Sequence, residues 1–231
     1  IKPDYIVNCI GVLIQGSNKS IENAIYINSY LPHVLIKFAS QINSKLIHIS
    51  TDCVFSGKKG NYVESDNRDG NGIYAQTKIL GEIQDTINLT LRTSVIGPEI
   101  KDSGEGLFDW FMSQEGTISG FAKAIWSGVT TLELAKIIKL SIDNDLSGLY
   151  HVTNNSSISK YELLQLFKKH TKKNITIKPF SGKSIDKSLI DTRLLLDYEI
   201  PSYNEMVSNM ISFITNNKSM YPRYKALNFD K

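Results

Sequence analysis

Apolar residues come in short bursts along the first hundred positions, and the spacing inside the bursts alternates. Residues 5–10 (YIVNCI) form a compact apolar run rich in β-formers, which predicts a buried parallel strand. Over 18–42 the residues Ile21, Ala24, Ile25, Asn28, Leu31, Leu35, Phe38 and Ala39 recur at helical spacing, with Pro32 as a point where the helix kinks or restarts. Residues 46–49 predict a second strand, ending in Ser50-Thr51-Asp52, and a polar, glycine-containing stretch up to Gly72 has room for a hairpin. Helical spacing returns over 74–85, and 89–93 predicts a third strand followed by Ser94-Val95-Ile96-Gly97-Pro98.

Strand and helix in this order imply right-handed crossovers and an α/β fold with a doubly wound, parallel, Rossmann-type sheet. The pattern beyond residue 97 is more mixed. Helices are predicted at 107–113, 131–141, 159–170 and 203–215, and short strands at 149–153 and 175–178. Ser159 with Glu162 three positions on forms a capping box, while 116–120 and 181–184 read as loops. The expected organisation is the C-terminal part of a dinucleotide-binding domain over 1–97, a smaller α/β lobe over 98–216 and a tail over 217–231. The chain opens on Ile1 just before a strand, which reads as a fragment.

Composition narrows the function classes. A chain of 231 residues with 41% hydrophobic content can bury one substantial core, or a core plus a small lobe. A net charge of +3 with no long basic run argues against nucleic acid as a partner. Cys9 and Cys53 suit a reducing cytoplasm better than a disulfide framework. No apolar stretch is long enough to span a bilayer, and no signal peptide is recognisable.

The chemistry concentrates at one strand end and one helix. Tyr74 and Lys78 are four residues apart on a predicted helix and share a face. An ammonium near a phenol favours the phenolate, which would lower the Tyr74 pKa and tune it as a general acid for an alkoxide forming at a carbonyl carbon. Thr51, at the carboxyl end of a parallel strand, can donate to the same oxygen, and strand carboxyl ends are where open α/β sheets bind ligands. The spacing alone is cheap: Tyr221 and Lys225 repeat it without helical context and read as chance. The weight lies in the order of strand end, loop and helix.

That ordered series carries a family resemblance. Ile49-Ser50-Thr51-Asp52-Cys53-Val54-Phe55-Ser56-Gly57, then Tyr62-Val63-Glu64-Ser65-Asp66, then Tyr74-Ala75-Gln76-Thr77-Lys78-Ile79-Leu80-Gly81-Glu82, then Leu91-Arg92-Thr93-Ser94 resembles the extended short-chain dehydrogenases, and within them the dTDP-4-dehydrorhamnose reductases. The resemblance implies NADPH or NADH as cofactor and a nucleotide sugar as substrate, in cell-surface polysaccharide synthesis by a cytoplasmic enzyme that could form a homodimer. It implies Tyr74 as proton donor, Lys78 as the holder of the nicotinamide ribose and tuner of Tyr74, and Thr51 as the group orienting the substrate oxygen. Cofactor contacts would come from Asn8, Cys9, Ile10 and Gly11, from Ser50, Tyr74 and Lys78, and from Thr93, Ser94 and Val95. Val54, Phe55 and the 104–111 region, with Trp110 and Phe111, would face the substrate.

The chain departs from that family's pattern in places. Cys53 stands where the rhamnose enzymes usually have tyrosine, Val95 where they often have tryptophan, and Ala124-Ile125-Trp126-Ser127-Gly128 replaces an Asp-Gln-x-Gly stretch. The glycine-rich turn that opens the family's fold, within a segment of roughly 60 residues, has no counterpart here, so weak dinucleotide binding and an uncovered sheet edge are expected. Gly70-Asn71-Gly72-Ile73-Tyr74-Ala75 formally matches a Gly-x-Gly-x-x-Ala fingerprint but follows a polar loop rather than a strand.

Blander readings apply to other polar residues. His48, alternating with Leu46 and Ser50 on a strand, reads as a core or interface histidine, and His33, His151 and His170 lack metal-ligand spacing. Asp52, Glu64 and Asp66 suit turn and loop roles, and Cys53 has no basic neighbour to make it a nucleophile. Lys58-Lys59 reads as a solvated hairpin tip or a flap over a diphosphate. For Trp110 and Phe111, core packing is the default and stacking on a base the sharper reading. An epimerase or dehydratase of the same superfamily and a non-catalytic regulatory subunit are the rival functions. Dehydratases of this kind place Asp-Glu after the threonine, whereas here the pair is Asp52-Cys53.

Overall fold

The computed structural model describes residues 1–101, 104–194 and 197–224. Strands β1 (Tyr5–Asn8), β2 (Lys45–Thr51) and β3 (Leu89–Thr93) form a parallel sheet, as their apolar runs predict. β3 is buried at every position, which fits a parallel strand covered on both faces.

The helical spacing over 18–42 forms a broken series: α1 (Ile14–Lys19), α2 (Ile21–Ala24), a π-helical turn at Ile25–Tyr30 and α3 (Leu31–Gln41), with a restart at Pro32 as expected and a further break at Ser20 that was not. Ser20 is extended and caps α2, its Oγ accepting from Asn23 N at 3.3 Å. Pro32, near the start of α3, has no N–H to offer the Asn28 carbonyl four residues back. That segment packs against α4 (Ile73–Gly81), where a Cβ on Gly81 would stand 1.9 Å from the Asn28 carbonyl oxygen. The buried Asn28 side chain then binds Val12 through both its oxygen and its nitrogen, at 2.8 and 2.9 Å.

α4 stops at Gly81 rather than continuing to 85, because Glu82 becomes extended and its carboxylate turns into the core. The 57–72 stretch forms no hairpin among the described residues. Tyr62 pairs with Leu189 in an isolated parallel bridge, and its hydroxyl accepts from the Gly57 and Lys59 amides at 3.1 Å each.

After β4 (Val95–Ile96) and α5 (Leu107–Ser113) the chain forms β5 (Thr117–Trp126), β6 (Val129–Thr130), α6 (Thr131–Asp143), β7 (Gly148–His151), β8 (Ile158–Ser159), α7 (Lys160–Thr171), β9 (Thr176–Asp186) and α8 (Tyr203–Asn216). β7 pairs with β3, giving the main sheet the order β1-β2-β3-β7, so the chain re-enters that sheet well beyond residue 97 and the 98–216 region is not wholly a separate lobe. Of the stretches expected as loops, 117–120 lies in β5 and 181–184 in β9, which pair in parallel, with β8 on the other side of β5. Gly120 permits the approach of α7: a Cβ there would sit 2.9 Å from Tyr161 Cα. α7 starts with the expected Ser159–Glu162 capping box.

α8 buries Tyr203, Met206, Val207, Met210, Ile211 and Ile214, a helical stripe packed on one continuous core with Phe108, Phe111 and Phe167. Each such side chain contributes about 1.5–3 kcal/mol relative to exposure. Among the described residues no helix is long and apolar enough to cross a membrane.

Candidate active site

The carboxyl ends of β1, β2 and β3 lie side by side and open into a cleft of about 840 Å³. Cys9, Ile10 and Gly11 line it after β1, Ser50 and Thr51 at the end of β2, and Thr93, Ser94 and Val95 after β3, with Tyr74 and Lys78 reaching in from α4. Of the expected catalytic and cofactor residues, only Asn8 is not in the lining. It is buried beneath the turn, where its Oδ1 accepts from Ile10 N at 3.1 Å and its Nδ2 faces His48 Nδ1 at 3.1 Å.

Thr51 ends its strand with the hydroxyl tied locally, donating to Asp52 Oδ1 and accepting from Cys53 N, both at 3.1 Å. Burial pushes the Tyr74 phenol well above its ordinary pKa, with the neighbouring Cys53 and Asp52 adding to the shift and the nearby Thr51 hydroxyl offsetting part of it. The expected lowering by Lys78 is therefore not what the structure has. The Lys78 ammonium instead donates to the Ile49 carbonyl at 2.8 Å and stands 3.5 Å from His48 Nε2. Its own pKa falls to about 8 through burial, partly opposed by Glu82 and Cys9. A phenol held high stays protonated at neutral pH, the state a proton donor needs.

His48 is a core histidine, as its strand position predicts. Burial, then Lys78 and His33, push its pKa down to about 3, so it is neutral. The Asn8 amide, oriented by Ile10 N, gives His48 Nδ1 the acceptor role. Cys53 is pushed up to about 11, chiefly by burial and then by Asp52, which removes it as a nucleophile.

The expected substrate contacts need correcting. Val54 and Phe55 are fully buried and form a small core with Tyr62 and Leu189, away from the cleft. The Phe55 ring stacks on Tyr62 with centroids 4.2 Å apart, and the Arg92 guanidinium lies 5.0 Å from its centroid. Phe111 is fully buried against Phe167, and Trp110 is exposed on the other side of the helix turn without lining the cleft. Trp126 packs on Tyr203 in the core, and Gly128 lets the chain pass within 1.8 Å, at an added Cβ, of the Ser94 carbonyl. Lys59 pairs with Asp66 at 2.6 Å. Glu64 accepts from His151 N and Thr192 Oγ1, a structural role. Tyr221 is buried against Phe213 and Tyr224, and Lys225 lies outside the described residues.

Of the expected 104–111 region, Glu105, Gly106 and Leu107 do line the cleft. Sequence reasoning missed the rest of that wall, Thr131, Leu134, Ala135 and Ile138 of α6, which completes the lining. It also missed the support beneath Ser50. The Ser50 hydroxyl donates to Glu82 Oε1 at 2.5 Å, and Glu82 pairs with Arg92, which reaches His151 Nε2 at 2.9 Å. An arginine inside an apolar strand was the available signal, since a buried charge demands a partner.

The parallel sheet, with Thr51, Tyr74 and Lys78 gathered at its strand ends, defines an α/β protein of the short-chain dehydrogenase/reductase type. The chain belongs to the RmlD substrate binding domain family, whose model matches residues 1–189. It is 29% identical over 172 residues to the spore coat polysaccharide biosynthesis protein SpsK of Bacillus subtilis, covering 70% of this chain and 59% of that relative. It thus spans under two thirds of that relative's length. A dTDP-4-dehydrorhamnose reductase of Mycobacterium tuberculosis is 31% identical over 85 residues, 34% of this chain and 28% of that protein. The crystal structure of dTDP-4-dehydrorhamnose reductase from Bacillus anthracis in complex with NADP superposes with a TM-score of 0.80 at 24% identity, covering 94% of this chain and 82% of that one.

Proposed function

We propose that the protein carries the catalytic residues of an NAD(P)H-dependent reductase acting on a nucleotide-linked 4-keto sugar in cell-surface polysaccharide synthesis. The observation that supports this most is the convergence of Thr51, Tyr74 and Lys78 in one cleft at the ends of adjacent parallel strands. The cleft volume falls within the range of cofactor and ligand sites. Lys78 commits an N–H to the Ile49 carbonyl and retains donors for ribose hydroxyls, and the exposed turn at Cys9–Gly11 offers backbone to the same ligand. When bound, the nicotinamide supplies hydride to the keto carbon. Tyr74 gives its proton to the oxygen that becomes an alkoxide, Thr51 orients that oxygen, and Lys78 holds the ribose and adds positive charge nearby.

A sugar-nucleotide dehydratase or epimerase is the alternative, and one feature favours it: Asp52 lines the cleft, which brings a second titratable group beside Tyr74, and burial raises its pKa. It would work without a neighbouring base, since Cys53 stays a thiol. The reductase reading carries a cytoplasmic location, supported by unpaired Cys9 and Cys53, and a homodimer, supported by the exposed Ile21, Ile25, Tyr26 and Tyr30.

The test is NADPH oxidation by the full-length protein with a panel of nucleotide 4-keto sugars. Tyr74→Phe should lower turnover by at least about a hundredfold while leaving the thermal melt in place. Near-normal turnover in that variant sinks the mechanism. Redox-neutral conversion of a sugar nucleotide would favour the alternative, and a silent panel would favour a regulatory subunit.

A further inference from the structure

The segment after α8, expected as a tail, includes a short 3₁₀ turn at Pro222–Tyr224 that is built into the molecule. Tyr224 is 3% exposed, and its ring packs against Phe108 and Tyr221. Its hydroxyl accepts from Glu99 N at 2.9 Å and donates to Asp109 Oδ1 at 2.8 Å. Arg223 pairs with the other oxygen of Asp109 at 2.8 Å and also donates to the Lys101 carbonyl. Glu99 and Lys101 lie before, and Asp109 after, the Glu105–Leu107 stretch that lines the cleft. One turn from more than a hundred residues away therefore holds both arms of that loop.

The loop's own bonds continue the path to the cleft. The Glu99 carboxylate, whose backbone is held by Tyr224, accepts from Gly106 N at 2.9 Å. An added Cβ on Gly106 would sit 2.9 Å from Glu99 Oε1, so a side chain there would push that carboxylate off its bond. Gly104 is likewise crowded, with an added Cβ at 2.2 Å from Asp109 Oδ2. Asp109 is 7% exposed and bound by both Tyr224 and Arg223, so the start of α5 is fixed to the same anchor.

We infer that Tyr224 and Arg223 are positioning residues for the substrate side of the cleft: through Glu99 and Asp109 they set the conformation in which Glu105–Leu107 faces the nucleotide sugar. The substrate half of this rests on the reductase reading. The clamp itself rests on geometry alone. The nicotinamide side, formed by Cys9–Gly11, Tyr74 and Lys78, has no contact with the clamp among the bonds described, so the two sides should respond differently to its loss.

The experiment uses the full-length protein and the variants Tyr224→Phe and Arg223→Gln. Hydrogen exchange read at the Glu99 and Gly106 amides should accelerate about tenfold in Tyr224→Phe, with β2 amides unchanged. With the 4-keto sugar nucleotide that the wild type reduces, KM should rise about five- to tenfold, kcat should change less, and the Kd for NADPH should stay within about twofold. Arg223→Gln, at a partly exposed side chain, should move the same quantities in the same direction by a smaller factor. Unchanged exchange at Glu99 and Gly106 overturns the clamp. A fall in NADPH affinity matching the rise in KM overturns its assignment to the substrate side. If the wild type reduces no sugar, the reductase reading fails while the exchange result still decides the clamp.

Discussion

Glu82 and Arg92 meet with both side chains fully out of solvent, the carboxylate taking bonds from Arg92 Nε at 2.8 Å and Nη2 at 2.7 Å. Burial alone would raise the Glu82 pKa, but the bonds and charge of Arg92, with Ser50 and Arg68, hold it below the usual carboxylate range. The pair ties the end of α4 to β3 and, through Ser50, to the floor of the cleft. Removing Arg92 leaves the buried carboxylate with only the partly exposed Arg68, at 3.1 Å, as its ion partner, so Arg92→Met should cost about 3 kcal/mol in urea denaturation. The paired change Glu82→Leu with Arg92→Met should cost less than the single one. Because the folded pKa is depressed, this stabilisation is present above the unfolded value of about 4.5 and is lost as pH falls through the lower folded value. Glu82→Gln should flatten that part of the acid-unfolding curve.

Lys78 gives the opposite pH signature. Its folded pKa of about 8 lies below the unfolded value of 10.5, so the unfolded chain binds more protons between those values and stability rises with pH there. Below pH 8 the full cost of burying the ammonium is present. Lys78→Met should therefore raise stability at pH 7 by of order 2–3 kcal/mol, an advantage that disappears by pH 10, measured by chemical denaturation across pH. If Lys78 holds the ribose as proposed, the same variant should lose cofactor affinity.

Cys9 and Cys53 should part in reactivity. Cys9 is exposed at the cleft, whereas Cys53 is partly buried with its pKa pushed up to about 11. Iodoacetamide at pH 8 should label Cys9 first, by mass spectrometry, and NADPH should slow that labelling. Equal rates at both thiols would contradict the burial difference.

Gly81→Ala tests the contact of α4 with the π-helical turn. The added Cβ would stand 1.9 Å from a backbone oxygen, which cannot rotate away as a side chain could. A loss of about 1–3 kcal/mol or more is expected in thermal or urea denaturation, despite alanine's better helix propensity.

Strands at 5–8, 45–51 and 89–93 and the helix carrying Tyr74 were legible because buried parallel strands and amphipathic helices leave strong periodic signals. β5 and β9 were not. Thr117–Trp126 hides its inward positions in Gly120 and Ala124, and Thr176–Asp186 carries Pro179 and Gly182, which read as loop. Thr51, Tyr74 and Lys78, which the structure brings to one cleft, were singled out by their order along the chain. Val54, Phe55 and Phe111 were misplaced because apolar side chains near a site in sequence can point into the core as readily as into the cleft.

By itself the sequence determined the α/β class, the parallel core of the sheet, and the hydroxyl, phenol and ammonium that meet at its strand ends. These follow from local spacing, which survives in one dimension. Tertiary structure alone decided which way each side chain faces. It raised the Tyr74 pKa through burial where proximity of a lysine suggested lowering, aimed Lys78 at Ile49, joined Glu82 to Arg92, and brought Tyr224 across the chain to Glu99 and Asp109. Desolvation and long-range contacts depend on what packs around a group, and no spacing rule along the chain records that.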